Sequence, residues 1–149
     1  MNIQIISIGK LSSDIIDIIK HYEKMISWRL LQSELPHSKK NNTPDIMQDE
    51  AKLILAKIRP HSHIIALNVD AKQMTSQNFS QLFTTQMMLG NNIDFIIGGA
   101  FGLDLGVLAK ADLLLSLSAM TLPHQLAKLL LIEQIYRAQS LINGHTYHK

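Results

Sequence analysis

Short apolar runs alternate along this chain with segments of helical period, and the alternation persists from one end to the other. Residues 2–8 read as a β-type run ended by Gly9. Residues 14–27 carry Ile15, Ile18, Ile19, Tyr22, Met25 and Ile26 at helical spacing, behind Ser12 or Ser13 as a cap. A second run over 28–35 is stopped by Pro36, and the polar segment 37–44 predicts a loop. Residues 45–58 predict a helix with Ile46, Leu53, Ile54 and Ile58 as core candidates. A strand over 64–69 and a helix over 75–89, closed by Gly90, come next. Strands over 93–97 and 113–117 flank a short helix over 103–111, and a final helix runs over 123–142. The continuous apolar character of 93–97 suits a parallel strand buried on both faces. Such alternation predicts the α/β class, as a mostly parallel, doubly wound sheet.

No linker, internal repeat or low-complexity tract divides the 149 residues, so one domain spanning 1–149 is expected. The sequence holds no cysteine, which excludes disulfides, thiolate nucleophiles and Cys-based zinc sites. Charged residues make up only 17% of the chain, against a typical ~25%. The final helix is apolar nearly all round, with Leu126, Leu129, Leu130, Leu131, Ile132 and Ile135 exceeding one stripe. Such a helix is covered on two sides, by the sheet and by a second subunit, so a homodimer is expected. The net charge of +2 permits a nucleic-acid partner without arguing for one. Lys110, Asp112, Lys128 and Glu133 interrupt the longest apolar stretches, and 1–9 lacks a basic leader. No membrane partner and a cytoplasmic location are therefore expected.

Two strands run into loops of small residues: Gly98-Gly-Ala-Phe-Gly102 and Leu117-Ser-Ala-Met-Thr-Leu-Pro-His124. Glycines at a strand end let backbone groups approach a ligand, or simply make a tight turn. Pro123 fits the first helical turn, and His124 there suits a structural hydrogen bond or a ligand. The spacing is not a dinucleotide fingerprint. Glu133 and Arg137 are placed for an i,i+4 ion pair, or for Arg137 to meet an anion. The tail His145-Thr-Tyr-His-Lys149 joins groups that can stack on a base and touch phosphate. Neither His145 with His148 nor His61 with His63 has an acidic or thiol neighbour completing a metal set, so no metal is expected. No hydrolytic triad, phosphate loop or paired-carboxylate signature is present, which favours a reaction run by positioning.

Taken in order, NIQIISIGK, IIGGAFG and LSLSAMTLPHQLAKLLLIEQIYRAQSLINGHTYHK resemble the ribosomal RNA large subunit methyltransferase H family, a small branch of the SPOUT superfamily. The resemblance covers essentially the whole chain and is densest over 93–149. It implies a C-terminal trefoil knot, against the general rule that chains are unknotted. It implies S-adenosylmethionine as cofactor, held by backbone groups at Leu67, at Gly98 and Gly99, and at Leu117, Ser118, Ala119, Met120, Thr121 and Leu122. It implies a homodimer through the last helix, acting on 23S rRNA within the ribosome. The implied reaction is methylation of N3 of a pseudouridine in helix 69. Arg137, Tyr147 and His148 are then the expected catalytic residues, reaching the partner subunit's cofactor, with His148 assisting proton removal. Lys149 and His145 are expected to bind substrate. The chain departs from the family pattern at Ala100-Phe101, at 68–72 and in the short 38–43 loop. A non-catalytic RNA- or ribosome-binding relative, which need not bind cofactor, is the alternative; a nucleotide- or flavin-binding oxidoreductase is a third class.

Overall fold

The computed structural model describes residues 1–145 and 147. Its strands are β1 (Asn2–Ile8), β2 (Arg29–Leu35), β3 (Ser62–Leu67), β4 (Asn92–Ile97) and β5 (Leu113–Leu115). Between and after them run α1 (Ser13–Met25), α2 (Thr43–Leu55), α3 (Ser76–Met88), α4 (Leu105–Lys110) and α5 (His124–Ile142). The strict alternation is the one the hydrophobic pattern predicts. The strands form one sheet in the order β2-β1-β4-β3-β5. Every pairing is parallel, so all the strand-to-helix loops leave from the same edge.

Side chains alternate across this sheet with period two, and each face meets its own helices. Ile3 and Ile5, with Phe95 and Ile97, face a layer that contains Ile19 of α1, Phe79 and Phe83 of α3, and Leu131, Ile132 and Ile135 of α5. Ile6, Ile8, Ile96 and Ala66 face the other way, onto Ala51 and Ile54 of α2 and Val107 of α4. Burial on both sides explains why β1 and β4 read as near-continuous apolar runs.

Several helix ends differ from the sequence pattern. Helix α2 begins at Thr43, inside the segment expected to be a loop. Asn42 caps it, its Oδ1 accepting the Asp45 N–H at 3.0 Å, and Pro44 occupies the first turn, where its missing N–H costs nothing. Pro123 is the residue before α5 rather than its first helical one. Ser12 precedes α1 but makes no side-chain cap; its N–H donates to Gln125 Oε1 at 2.7 Å and ties the starts of α1 and α5 together. Ile18 and Leu53, both core candidates by spacing, are 47% and 37% exposed.

The path from β5 to α5 positions the site. Strand β5 lies at one edge, yet α5 packs between α1 and α3 near the middle of the sheet. The connection must therefore return inward past the segment that leaves β3. The two segments touch: Asn68 N–H donates to the Leu115 carbonyl at 3.0 Å, and Ser116 N–H to the Lys72 carbonyl at 3.2 Å.

Candidate active site

Where these loops meet, at the carboxyl edge of the sheet, they enclose a cleft with about 600 Å³ of empty space, part of it open to solvent. Open parallel sheets place ligands at this edge because backbone groups there are not used by the ladder. The cleft is lined by Leu67, Asn68 and Val69 after β3, by Gly98 and Gly99 after β4, and by most of the 115–122 loop. The loop is held by its own serines: Ser116 Oγ donates to the Ser118 carbonyl at 2.8 Å, and Met120 N–H donates to Ser118 Oγ at 3.0 Å. Leu67, Gly98, Gly99, Leu117, Ser118, Met120, Thr121 and Leu122, singled out in the sequence, all line this cleft, while Ala119 does not. Asn68, Val69, Ile97, Leu115, Ser116, His124 and Ala127 complete the lining.

Gly98 and Gly99 are small for a reason internal to the protein. A Cβ on Gly98 would stand 2.8 Å from the Gly102 carbonyl oxygen, and one on Gly99 2.8 Å from Glu50 Oε2. At Gly98 the neighbour is backbone of the same turn, so a tight turn accounts for that glycine, whereas at Gly99 the neighbour is the end of the Glu50 side chain.

Among the described residues His124 is the one titratable side chain in the lining. Its Nε2 is buried and lacks a hydrogen-bond partner. The ring meets His37 edge-on, with centroids 5.9 Å apart, above Gly9. Behind His37 lies Glu50, which is 4% exposed and accepts the Ser38 N–H at 3.2 Å. No spacing rule links positions 37, 50 and 124. His124 could be singled out from its loop, whereas His37 and Glu50 carried no signal in the sequence.

The tail residues lie elsewhere. Arg137 donates through Nε and Nη2 to Glu133 Oε1 at 3.0 and 2.6 Å, the i,i+4 pair the spacing predicts. That bond holds the guanidinium pKa above its ordinary value. Tyr147 donates to Glu133 Oε1 at 3.2 Å, and the Arg137 guanidinium lies 4.8 Å from the centre of its ring. Burial, with the bond to Tyr22 and the nearby Glu133 carboxylate, pushes the Tyr147 phenol pKa well up, so it stays protonated at neutral pH. From His124 to Arg137 the helix advances roughly 20 Å at ~1.5 Å per residue. Within one chain, then, Arg137 and Tyr147 stand apart from the cleft. His145 is exposed beyond α5, its N–H donating to the Ser140 carbonyl at 2.9 Å. His148 and Lys149 lie outside the described residues. Among the described residues no three His, Cys, Asp or Glu groups are placed to hold a metal ion, and no helix is long and apolar enough to cross a membrane.

Residues 1–148 match the family described as Predicted SPOUT methyltransferase. The chain belongs to the SPOUT methyltransferases. Its relatives include the ribosomal RNA large subunit methyltransferases H of Clostridium perfringens (strain SM101), 40% identical over 162 residues, and of Acholeplasma laidlawii, 40% identical over 151. Both alignments cover 100% of each chain, so this SPOUT methyltransferase falls within that family. Among solved structures, the fold resembles a probable methylase family protein from Haemophilus influenzae (TM-score 0.59, 16% identity, 99% of this chain and 70% of that one). It also resembles a putative RNA methyltransferase from Bacillus anthracis (TM-score 0.56, 10% identity, 99% and 100%). SPOUT methyltransferases use S-adenosylmethionine. The cleft fits that molecule in kind: leucine and valine walls suit a flat purine, and exposed loop backbone suits its polar ends.

Proposed function

We propose that this protein methylates N3 of a pseudouridine in helix 69 of 23S rRNA, on the assembled ribosome in the cytoplasm, as a homodimer with S-adenosylmethionine as methyl donor. Full-length identity of 40% with relatives named ribosomal RNA large subunit methyltransferase H carries this reading. The inward return of the 116–123 segment past 68–73 supports a knotted C-terminal part, with Leu67, Gly98, Gly99 and the 117–122 loop as the cofactor cradle.

When bound, the cofactor supplies an electrophilic methyl group on a sulfonium. The chain's own part is alignment and charge. The loop backbone orients the donor, and the target base must meet it with N3 in line. An imide nitrogen attacks only as it loses its proton, so negative charge develops on the base. A guanidinium such as Arg137, held charged by Glu133, stabilises that charge, and the protonated Tyr147 can donate a hydrogen bond to it. Because Arg137 stands roughly 15 Å along α5 from Ala127, the last cleft residue on that helix, it and the Tyr147 packed on it serve the partner subunit's cleft, together with His148, Lys149 and His145 of the tail. Leu126 and Leu130, each 42% exposed on α5, form the face through which two copies meet.

The test is methyl transfer from labelled S-adenosylmethionine to ribosomes from a strain lacking the modification, with the labelled nucleotide mapped by mass spectrometry. Label on the helix 69 pseudouridine is expected. Label on another nucleotide overturns the target assignment, and neither label nor cofactor binding favours a non-catalytic relative.

A further inference from the structure

We propose that His124, backed by His37 and Glu50, takes up the proton that leaves the target base, and that His37 passes it to solvent. The inference rests on methyl transfer to a base nitrogen that carries a proton. In that reaction N3 gains the methyl carbon, the sulfur keeps the electron pair of the broken C–S bond, and the imide proton must go to an acceptor. Neither Arg137 nor Tyr147 can accept it, because both are already protonated with raised pKa values. Among the described residues His124 is the one imidazole that lines the cleft, and His148, which lies outside them, is the competing acceptor that the test below separates.

Its surroundings form a path outward. A Cβ on Gly9 would stand 2.9 Å from His124 Nε2 and 2.7 Å from His37 Nε2, so both nitrogens crowd the same point. The His124 nitrogen is buried without a partner, a costly state for a group whose role is only structural. His37 spans the distance to water, its side chain being 55% exposed. On its inner side, Nδ1 lies 3.8 Å from Oε1 of Glu50, whose side chain is 5% exposed. The two imidazoles meet edge to face beside one buried carboxylate, an arrangement through which a proton taken up at one ring can pass to the other. The other charged groups nearby are otherwise occupied or point to water. Asp49 accepts from Ser38 Oγ at 2.7 Å, Lys128 is paired with Glu34, and Lys39 and Lys40 are exposed. Gly9, just after β1, leaves room for the two imidazole nitrogens, and Gly99, after β4, leaves room for the Glu50 carboxylate.

Two measurements on the full chain test this. The first is an NMR titration of the imidazoles without cofactor or RNA, in wild type and in His37→Gln. Coupled two-step curves for His37 and His124 are expected, with the His124 curve becoming a single step in the variant. Independent single-step curves in wild type overturn the relay. The second is the pH profile of single-turnover methylation of unmodified ribosomes. His124→Gln, read at saturating S-adenosylmethionine because His124 lines the cofactor cleft, is expected to lose the acid limb and to slow at pH 7 by about 100-fold. His37→Gln, at a half-exposed site, is expected to move the limb in step with its NMR curve. Near wild-type rates in His124→Gln, or a limb that moves in His148→Gln instead, overturn it. If wild type itself transfers no methyl group, the functional reading fails separately, and the NMR coupling still reports on the cluster.

Discussion

Lys128 is 1% exposed in a leucine-rich helix, and its ammonium donates to Glu34 Oε1 at 3.0 Å and Ser7 Oγ at 3.3 Å. Burial lowers its pKa from the ordinary 10.5, and the Glu34 carboxylate only partly opposes that. The unfolded chain therefore binds the proton more tightly. Between the lowered folded value and 10.5 the unfolded state carries the extra proton, so stability rises with pH in that window, and below it the full burial cost is present. Lys128→Met removes only the buried ammonium, and the Glu34 carboxylate it leaves behind has a side chain 34% exposed and can be rehydrated, unlike a buried carboxylate stripped of its cation. Lys128→Met is therefore expected to be about 1 kcal/mol more stable than wild type at pH 7 in urea, with the gap shrinking toward pH 10. A loss of stability at pH 7, or a gap that widens with pH, contradicts this account. Gly9 makes a backbone argument instead. Its φ of +92° disfavours any Cβ, and the two histidine nitrogens already fill the space. Gly9→Ala is expected to cost about 2 kcal/mol or more, read from the urea midpoint.

The secondary elements were legible in the sequence because each is a local pattern. Helical spacing, the Gly90 cap (φ +70°) and the apolar run of β4 all lie within a few residues of what they specify. The strand order was not legible, since alternation alone does not say that β4 inserts between β1 and β3. Long-range polar pairs share that invisibility. Asp94 in β4 is 0% exposed, and its carboxylate accepts from Arg59 through the backbone N–H and Nε, each at 2.8 Å. Arg59 also donates to the Ile93 carbonyl at 2.9 Å, which locks the α2–β3 connection beneath the sheet. The positions are 35 residues apart, and neither stood out by spacing. Arg59→Ala leaves a buried carboxylate without its cation and is expected to cost about 3–5 kcal/mol in chemical unfolding. A cost below about 1 kcal/mol would show that water replaces the guanidinium without penalty.

At the scale of the whole molecule, one chain holds a cleft at one end of α5 and the Arg137–Glu133–Tyr147 group toward the other. The cleft residues of the 98–99 and 117–122 loops were readable because two loops of small residues define them, whereas Leu67 came from the family resemblance and Asn68 and Val69 carried no local signal. The separation follows from residue spacing along one helix, but which strands bring the loops together at its start does not. If each catalytic centre takes its cleft from one subunit and its cation from the other, two different defects can compensate. Thr121→Arg places a long side chain at the exposed rim of the cleft, and Arg137→Ala removes the cation. Each variant alone is expected to form inactive homodimers. Unfolded together in equal amounts and refolded, half of the dimers are mixed by chance, and each mixed dimer holds one complete centre of two. Methyl transfer to unmodified ribosomes is then expected to recover to about a quarter of the wild-type rate. Leu130→Asp, at the 42% exposed position on α5, should abolish that recovery by keeping the chains apart, while the Arg137→Ala chain still binds S-adenosylmethionine. Activity in the Arg137→Ala homodimer would show that this cation is not needed, and no recovery although mixed dimers form would place the whole reaction within a single subunit.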